Sequence, residues 1–145
     1  VPAADLVSEL DYVRMHVALE RIFGLLRRGN PPQELSLTAA SALRNLELNG
    51  SRRLTDLAVD EGVTQPGMTQ LVTRLERDGL AERTTDAGDG RVVLVRVTAA
   101  GRALLARRRQ LRARRLGELM STLSAEEERL IAAALPALER LGGTR

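Results

Sequence analysis

The chain has 145 residues, 43% hydrophobic and 28% charged, with a formal net charge of +3, which suits one soluble globular domain with a real core. Cysteine is absent and histidine occurs once, at His16. This excludes disulfides, thiolate metal sites, thiol redox sensing and a His-rich metal site within one subunit. Residues 3–28 predict a long first helix. Leu6, Leu10, Val13 and Val17 form one apolar stripe, and Met15, Leu19, Ile22, Phe23 and Leu26 form a second. Two stripes imply cover on much of the circumference, which a lone small domain can hardly arrange. His16 on this helix reads as an ordinary helix histidine rather than half of a shared metal site. Gly29-Asn30-Pro31-Pro32 then breaks the chain.

Thr38 can cap a second helix to about Leu48, with Leu43 and Leu46 inward and Asn49-Gly50 as its stop. A short third helix is expected from about Arg53 to Asp60, with Leu54, Leu57 and Ala58 inward. Glu61-Gly62-Val63 makes a tight turn into a fourth helix. There Thr64 is a good N-cap, and Pro66 sits in the first turn, where a missing N–H does no harm. Met68, Leu71, Val72 and Leu75 follow the i, i+3, i+4, i+7 spacing of a buried stripe. The opposite face carries Pro66, Gln70, Thr73 and Arg77, flanked by Thr69 and Arg74, and no carboxylate. Asp78-Gly79 ends it. Amides, hydroxyls and guanidinium groups without an acid suit a phosphate-lined major groove. The same pattern also fits an ordinary amphipathic surface helix, so the next segment matters.

Leu80 to Arg83 and Arg91 to Val97 read as strands, Val93, Val95 and Val97 alternating with Leu94 and Arg96. Thr84 to Gly90 forms a turn-rich tip with an Asp-Gly step. Arg91 leaves that tip, where a guanidinium on a thin hairpin can enter a narrow minor groove. A local Asp89–Arg91 ion pair is the plainer alternative, and both can hold. Helix, short turn, helix and wing together point to double-stranded DNA as the partner.

Thr98 can cap a long helix from about Ala99 to Met120. Leu104, Leu105, Leu111, Leu116, Leu119 and Met120 give its apolar side; Arg107, Arg108, Arg109, Arg112, Arg114 and Arg115 give a basic side, read as a solvated face. Ser124-Ala125-Glu126-Glu127 is a capping box for a last helix lined by Leu130, Ile131, Ala134, Leu135, Leu138 and Leu141. Pro136 should kink or break it, at a cost of about 3 kcal/mol. All 22 basic residues are arginine. Abundant Arg, Ala, Leu and Gly without Lys is what GC-rich coding DNA produces, so arginine position carries weight and abundance does not.

The order of these elements resembles the MarR (multiple antibiotic resistance regulator) family of winged-helix transcription regulators. The resemblance spans nearly the whole chain. It is sharpest at Leu54-Thr55-Asp56-Leu57-Ala58, at Gly62-Val63-Thr64-Gln65-Pro66, and at Leu71-Val72-Thr73-Arg74-Leu75-Glu76-Arg77-Asp78-Gly79-Leu80. The Asp89-Gly90-Arg91 step, with Leu94-Val95-Arg96-Val97-Thr98 and Gly101, matches the wing. The resemblance implies a mainly α fold with a small β-hairpin wing (α+β). Residues 1–34 and 99–145 would form a helical dimerisation region, and 35–98 a winged helix-turn-helix lobe. It implies a homodimer on a pseudo-palindromic operator, acting as a bacterial, cytoplasmic, nucleoid-associated repressor. By that analogy Gln65, Pro66, Thr69, Gln70, Thr73 and Arg74 face the major groove, and Arg91 enters the minor groove. Asp89 holds the wing tip, and Arg53 and Thr64 lie near phosphates. Gly67 departs from the Ser, Thr or Ala frequent in relatives, which removes one side chain from the reading surface.

The family often responds to small phenolic or amphipathic anions, for which Tyr12, His16 and Phe23 are the candidate contacts. No cofactor and no membrane partner are expected: no run of 18 apolar residues marks a span, and the N-terminus lacks the pattern of a secretory signal. An enzyme would need a nucleophile with its base, a metal site or a carboxylate cleft, and none is legible. The rival to DNA binding is a winged-helix dimer that serves only as a protein-interaction module.

Overall fold

The computed structural model describes residues 11–28 and 35–143. Among them, six helices and a three-stranded antiparallel sheet follow in order: α1 (Tyr12–Arg27), α2 (Leu37–Asn49), β1 (Arg52–Arg53), α3 (Leu54–Asp60), α4 (Gln65–Arg77), β2 (Ala81–Thr85), β3 (Val93–Val97), α5 (Ala99–Met120) and α6 (Ala125–Gly143). The fold is mainly helical with a small β wing, as the sequence implied. It divides into two compact units. One extends from α2 to Gln110 in α5; the other holds α1, the rest of α5 from Leu111, and α6. Leu6, Leu10 and the Gly29-Asn30-Pro31-Pro32 break lie outside the described residues.

Local chemistry sets most element boundaries. α4 starts at the expected cap, Thr64, whose Oγ1 accepts the Gly67 N–H at 3.3 Å. α2 starts two residues earlier than expected: Ser36, not Thr38, caps it, its Oγ accepting the Ala39 N–H at 3.2 Å. Both residues can cap; the register in use buries Ala39, Ala42, Leu43 and Leu46. α3 and α4 stop by one device. The N–H of Val63 bonds back to the Ala58 carbonyl (3.0 Å) and that of Leu80 to the Leu75 carbonyl (2.8 Å). In each case the residue before is a left-handed glycine, Gly62 at φ 63° and Gly79 at φ 72°.

The sheet order is β1-β3-β2. The strand at Arg52–Arg53 is too short to carry any periodicity, and it takes Arg53 out of the helix the sequence assigned to it. β2 runs on through Thr84 and Thr85 and β3 starts only at Val93, so the tip moves two positions along the chain, from 84–90 to 86–92; Arg91 and Val92 belong to it. Val95 and Val97 are buried, but Val93 is half exposed, because the outer end of the wing extends past the core.

One core organises this unit: Leu43 and Leu46 of α2, Leu57 of α3, Met68, Leu71, Val72 and Leu75 of α4, Val95 and Val97 of β3, and Leu105 of α5. At its edge Asn45 is buried. Its Nδ2 donates to Asp60 (3.1 Å) and Glu61 (3.3 Å), and its Oδ1 accepts from Asn49 (2.9 Å). Arg52 donates to the same Asp60 oxygen at 2.7 Å. Asn45→Ala would leave two adjacent carboxylates short of donors, so a stability loss of ~1–3 kcal/mol is expected. Urea unfolding checks it: the midpoint should fall with an unchanged m-value.

The other unit is different. Neither α1 nor α6 has a buried residue, although both carry full apolar stripes. Val13 is 73% exposed and Leu130 66%. α6 opens with the expected capping box: Glu127 N–H to Ser124 Oγ at 3.3 Å, Ser124 N–H to Glu127 at 2.8 Å. It runs unbroken through Pro136, contrary to a break. The Ala132 carbonyl that the ring deprives of a donor lies on an exposed turn, where water can serve it. On α5 the basic side is not simply solvated. Arg108 is buried, and Arg109 is paired with Glu47 of α2.

Candidate nucleic-acid interface

α4 presents its apolar stripe to the core and everything else outward. Gln65, Pro66, Gly67, Thr69, Gln70, Thr73, Arg74 and Arg77 are all exposed, while Met68, Leu71, Val72 and Leu75 are all buried. The Gln70 amide makes no hydrogen bond, and Arg74 and Arg91 make no ion pair, among the described residues. Those groups are available to a ligand. The two threonines are not equivalent to free hydroxyls. Thr69 donates to the Gln65 carbonyl and Thr73 to the Thr69 carbonyl, both at 2.9 Å, so each presents lone pairs and a methyl outward. Thr64 is the reverse: its oxygen accepts from Gly67, so its hydrogen remains to be donated.

At Gly67 an added Cβ would meet one atom, Thr64 Oγ1, at 3.1 Å, a tight contact with the capping side chain at the head of α4. Two carboxylates flank the exposed face, and both are occupied. Asp78 takes Arg77 Nε at 3.1 Å, so Arg77 is the one cation of this face that starts paired. Both partners are largely exposed, and such a pair is weak and easily exchanged. Glu76 is half-buried and bound to Arg83 of β2. No periodicity marks Arg83 as a partner of α4; only the fold sets β2 beside that helix.

The wing tip is built by aspartates. Asp86 Oδ1 accepts the N–H of Gly88 (2.7 Å) and of Asp89 (3.1 Å), and Asp89 Oδ1 accepts the N–H of Arg91 (3.0 Å). Asp89 thus pins the backbone of Arg91, not its guanidinium, which differs from the expected ion pair. The Asp86 carboxyl is held below the usual carboxylate range, first by the Gly88 N–H, then by that of Asp89, with a smaller pull from Arg53. The Asp-Gly step at 89–90 is the turn signal in this segment, and it does not mark Asp86, whose role depends on the tip's tertiary shape.

The three ligand candidates do not gather equally. His16 and Phe23 line one shallow apolar recess along α1 with Leu19, Ile22 and Leu26; Tyr12 stands outside it. The Phe23 ring carries the Arg27 and Arg112 guanidinium groups at 6.0 and 5.7 Å from its centroid. His16 Nε2 is 3.4 Å from Glu20. Among the described residues no cluster of His, Cys, Asp or Glu could hold a metal ion, and no helix is long and apolar enough to cross a membrane.

Residues 35–93 match the family model described as MarR family. An HTH-type transcriptional regulator of Mycobacterium tuberculosis is 34% identical over 131 residues, covering 90% of this chain and 88% of that protein. Among solved structures, a transcriptional regulator from Thermotoga maritima superposes with a TM-score of 0.76 at 23% identity, over 92% of this chain and 97% of the other. A mutant MarR from E. coli gives 0.69 at 22% identity, over 95% and 96%. At these identities the structural likeness bears on the fold.

Proposed function

Given that the chain belongs to the MarR family of transcription regulators, we propose that it is a homodimeric, sequence-specific DNA-binding regulator acting in the cytoplasm as a repressor. The observation that carries this is the outward face of α4. Among the described residues it holds an unbonded amide at Gln70 and an unpaired guanidinium at Arg74, its flanking carboxylates are occupied, and a wing with a second unpaired guanidinium at Arg91 follows. In this reading Gln65, Pro66, Gly67, Thr69, Gln70, Thr73, Arg74 and Arg77 meet the major groove. Arg91, with its backbone pinned by Asp89, enters the minor groove, and Arg53 and the Thr64 hydroxyl donate to phosphates.

The dimer reading is supported by α1 and α6, whose leucine stripes find no cover within the described chain. A two-fold dimer would set two α4 helices about one DNA turn apart, ~34–36 Å. Release by a small amphipathic or phenolic anion is part of the proposal. Phe23 and His16 offer an apolar recess, with guanidinium groups over the Phe23 ring. The matched family and relatives are regulators, not enzymes.

Titration of duplex DNA across a salt series tests the core of this. Affinity should fall log-linearly with salt, with a slope near −0.9 per phosphate neutralised. Sedimentation of the same sample at micromolar concentration should give the dimer mass. Salt-independent or absent binding by a well-formed dimer would favour an interaction module instead.

A further inference from the structure

β2 is an edge strand. It pairs with β3 on one side only, so its outer edge presents backbone N–H groups that have no strand partner. At Arg83 that edge is closed by α4. The Arg83 N–H donates to one Glu76 oxygen at 2.8 Å, and the other Glu76 oxygen is paired with the Arg83 guanidinium. A single carboxylate therefore holds both the backbone and the side chain of one wing residue. The guanidinium reaches further, to Thr73 on the outward face, with Nη2 3.4 Å from Oγ1. Because the Thr73 hydrogen is already given to the Thr69 carbonyl, what faces Arg83 is a lone pair.

We propose that Arg83 is a positioning residue for base recognition. The Glu76–Arg83 clamp fixes the wing against the reading helix and holds Thr73 as a hydrogen-bond acceptor. This rests on the DNA-binding reading above. Two consequences follow from chemistry. An acceptor with a methyl group takes an amino hydrogen of adenine or cytosine, or packs on the thymine methyl; it offers nothing to the two acceptors of guanine. And the wing and the helix act as one rigid reader, so a contact made by Arg91 bears on what α4 can read. Arg83 is not a phosphate contact in this account, because its guanidinium is committed to Glu76.

The test uses the full-length protein and two single variants, Arg83→Ala and Glu76→Ala, with their double. Base preference is read from a randomised duplex library, alongside affinity for an unrelated duplex at low salt. Thermal melting of each variant is followed in parallel. A clamp predicts that both single variants flatten base preference at the position Thr73 faces by about tenfold. The double should lose little more than either single, as coupled neighbours do. Affinity for the unrelated duplex should change far less. A weaker fold alone would lower the active fraction for all sequences equally, so flattened preference is not a stability effect.

If Arg83 touched phosphate instead, Glu76→Ala would remove a competing acid and raise affinity for every duplex. That result overturns the clamp, as do additive losses in the double variant or an unchanged preference profile. Failure of the wild-type protein to bind any duplex is a different result: it removes the DNA-binding reading itself, and the clamp's role with it.

Discussion

Alanine at Gly101 is expected to destabilise the DNA-reading unit more than any other single methyl added to it. The added Cβ would stand 2.2 Å from the Leu80 carbonyl oxygen, 2.7 Å from Val97 Cγ2 and 3.1 Å from the Leu80 carbonyl carbon. Two of these are backbone atoms, which cannot swing aside as a side-chain end can. The carbonyl is also engaged. It accepts the Thr98 N–H at 3.1 Å, while the Thr98 hydroxyl donates to the Gly79 carbonyl at 2.6 Å and accepts the Gly101 N–H at 3.1 Å.

The first turn of α5, the end of β3 and the start of β2 are thus tied together around one missing side chain. Overpacking a dense interior typically costs ~1–3 kcal/mol, and a clash with fixed backbone belongs at the upper end or beyond. Urea unfolding of Gly101→Ala should show a midpoint lowered accordingly at constant m-value. A loss under ~0.5 kcal/mol, the range of ordinary surface changes, would contradict the close packing at this junction.

The second large effect expected is a split between two binding variants. Gln70→Ala removes an amide with no intramolecular partner, the kind that reads adenine through two hydrogen bonds. It should cost ~1–3 kcal/mol on the preferred operator, or roughly ten- to a hundredfold, and little on random duplex. Arg91→Ala removes a guanidinium on a wing tip whose backbone Asp86 and Asp89 hold in place. It should lower affinity for all duplexes together and make the salt dependence shallower by about one unit. Side-by-side titrations on selected and random duplex check both. A Gln70→Ala protein with undiminished operator preference would show that the face of α4 is wrongly assigned.

Much of this was legible in the sequence, because it depends on neighbours in the chain. The Met68–Leu75 stripe, the Thr64 cap, the Gly79 stop and the Ser124 capping box are all local, and each forms as its residue types require. The family likeness was legible for the same reason, since its motifs are runs of such local signals. What escaped was set by contacts across the chain. β1 exists only because β3 offers it a partner, and Thr84 and Thr85 are strand rather than turn because Leu94 and Val93 pair with them. Pro136 follows the rule for a helix interior in the sequence, but it lies in an exposed helix that continues through it.

By itself the sequence determined which face of α4 points outward, and what chemistry it carries, because helical periodicity sorts apolar from polar residues without reference to anything else. It also pointed to α1 carrying more apolar surface than a lone small domain can readily cover. Only the tertiary structure decided which of the outward groups are available. Asp78 engages Arg77, Glu76 engages Arg83, and the hydrogens of Thr69 and Thr73 point back along the helix, while the side chains of Gln70, Arg74 and Arg91 have no partner among the described residues. Periodicity fixes direction, but pairing depends on distances between side chains, and those exist only once β2 lies against α4.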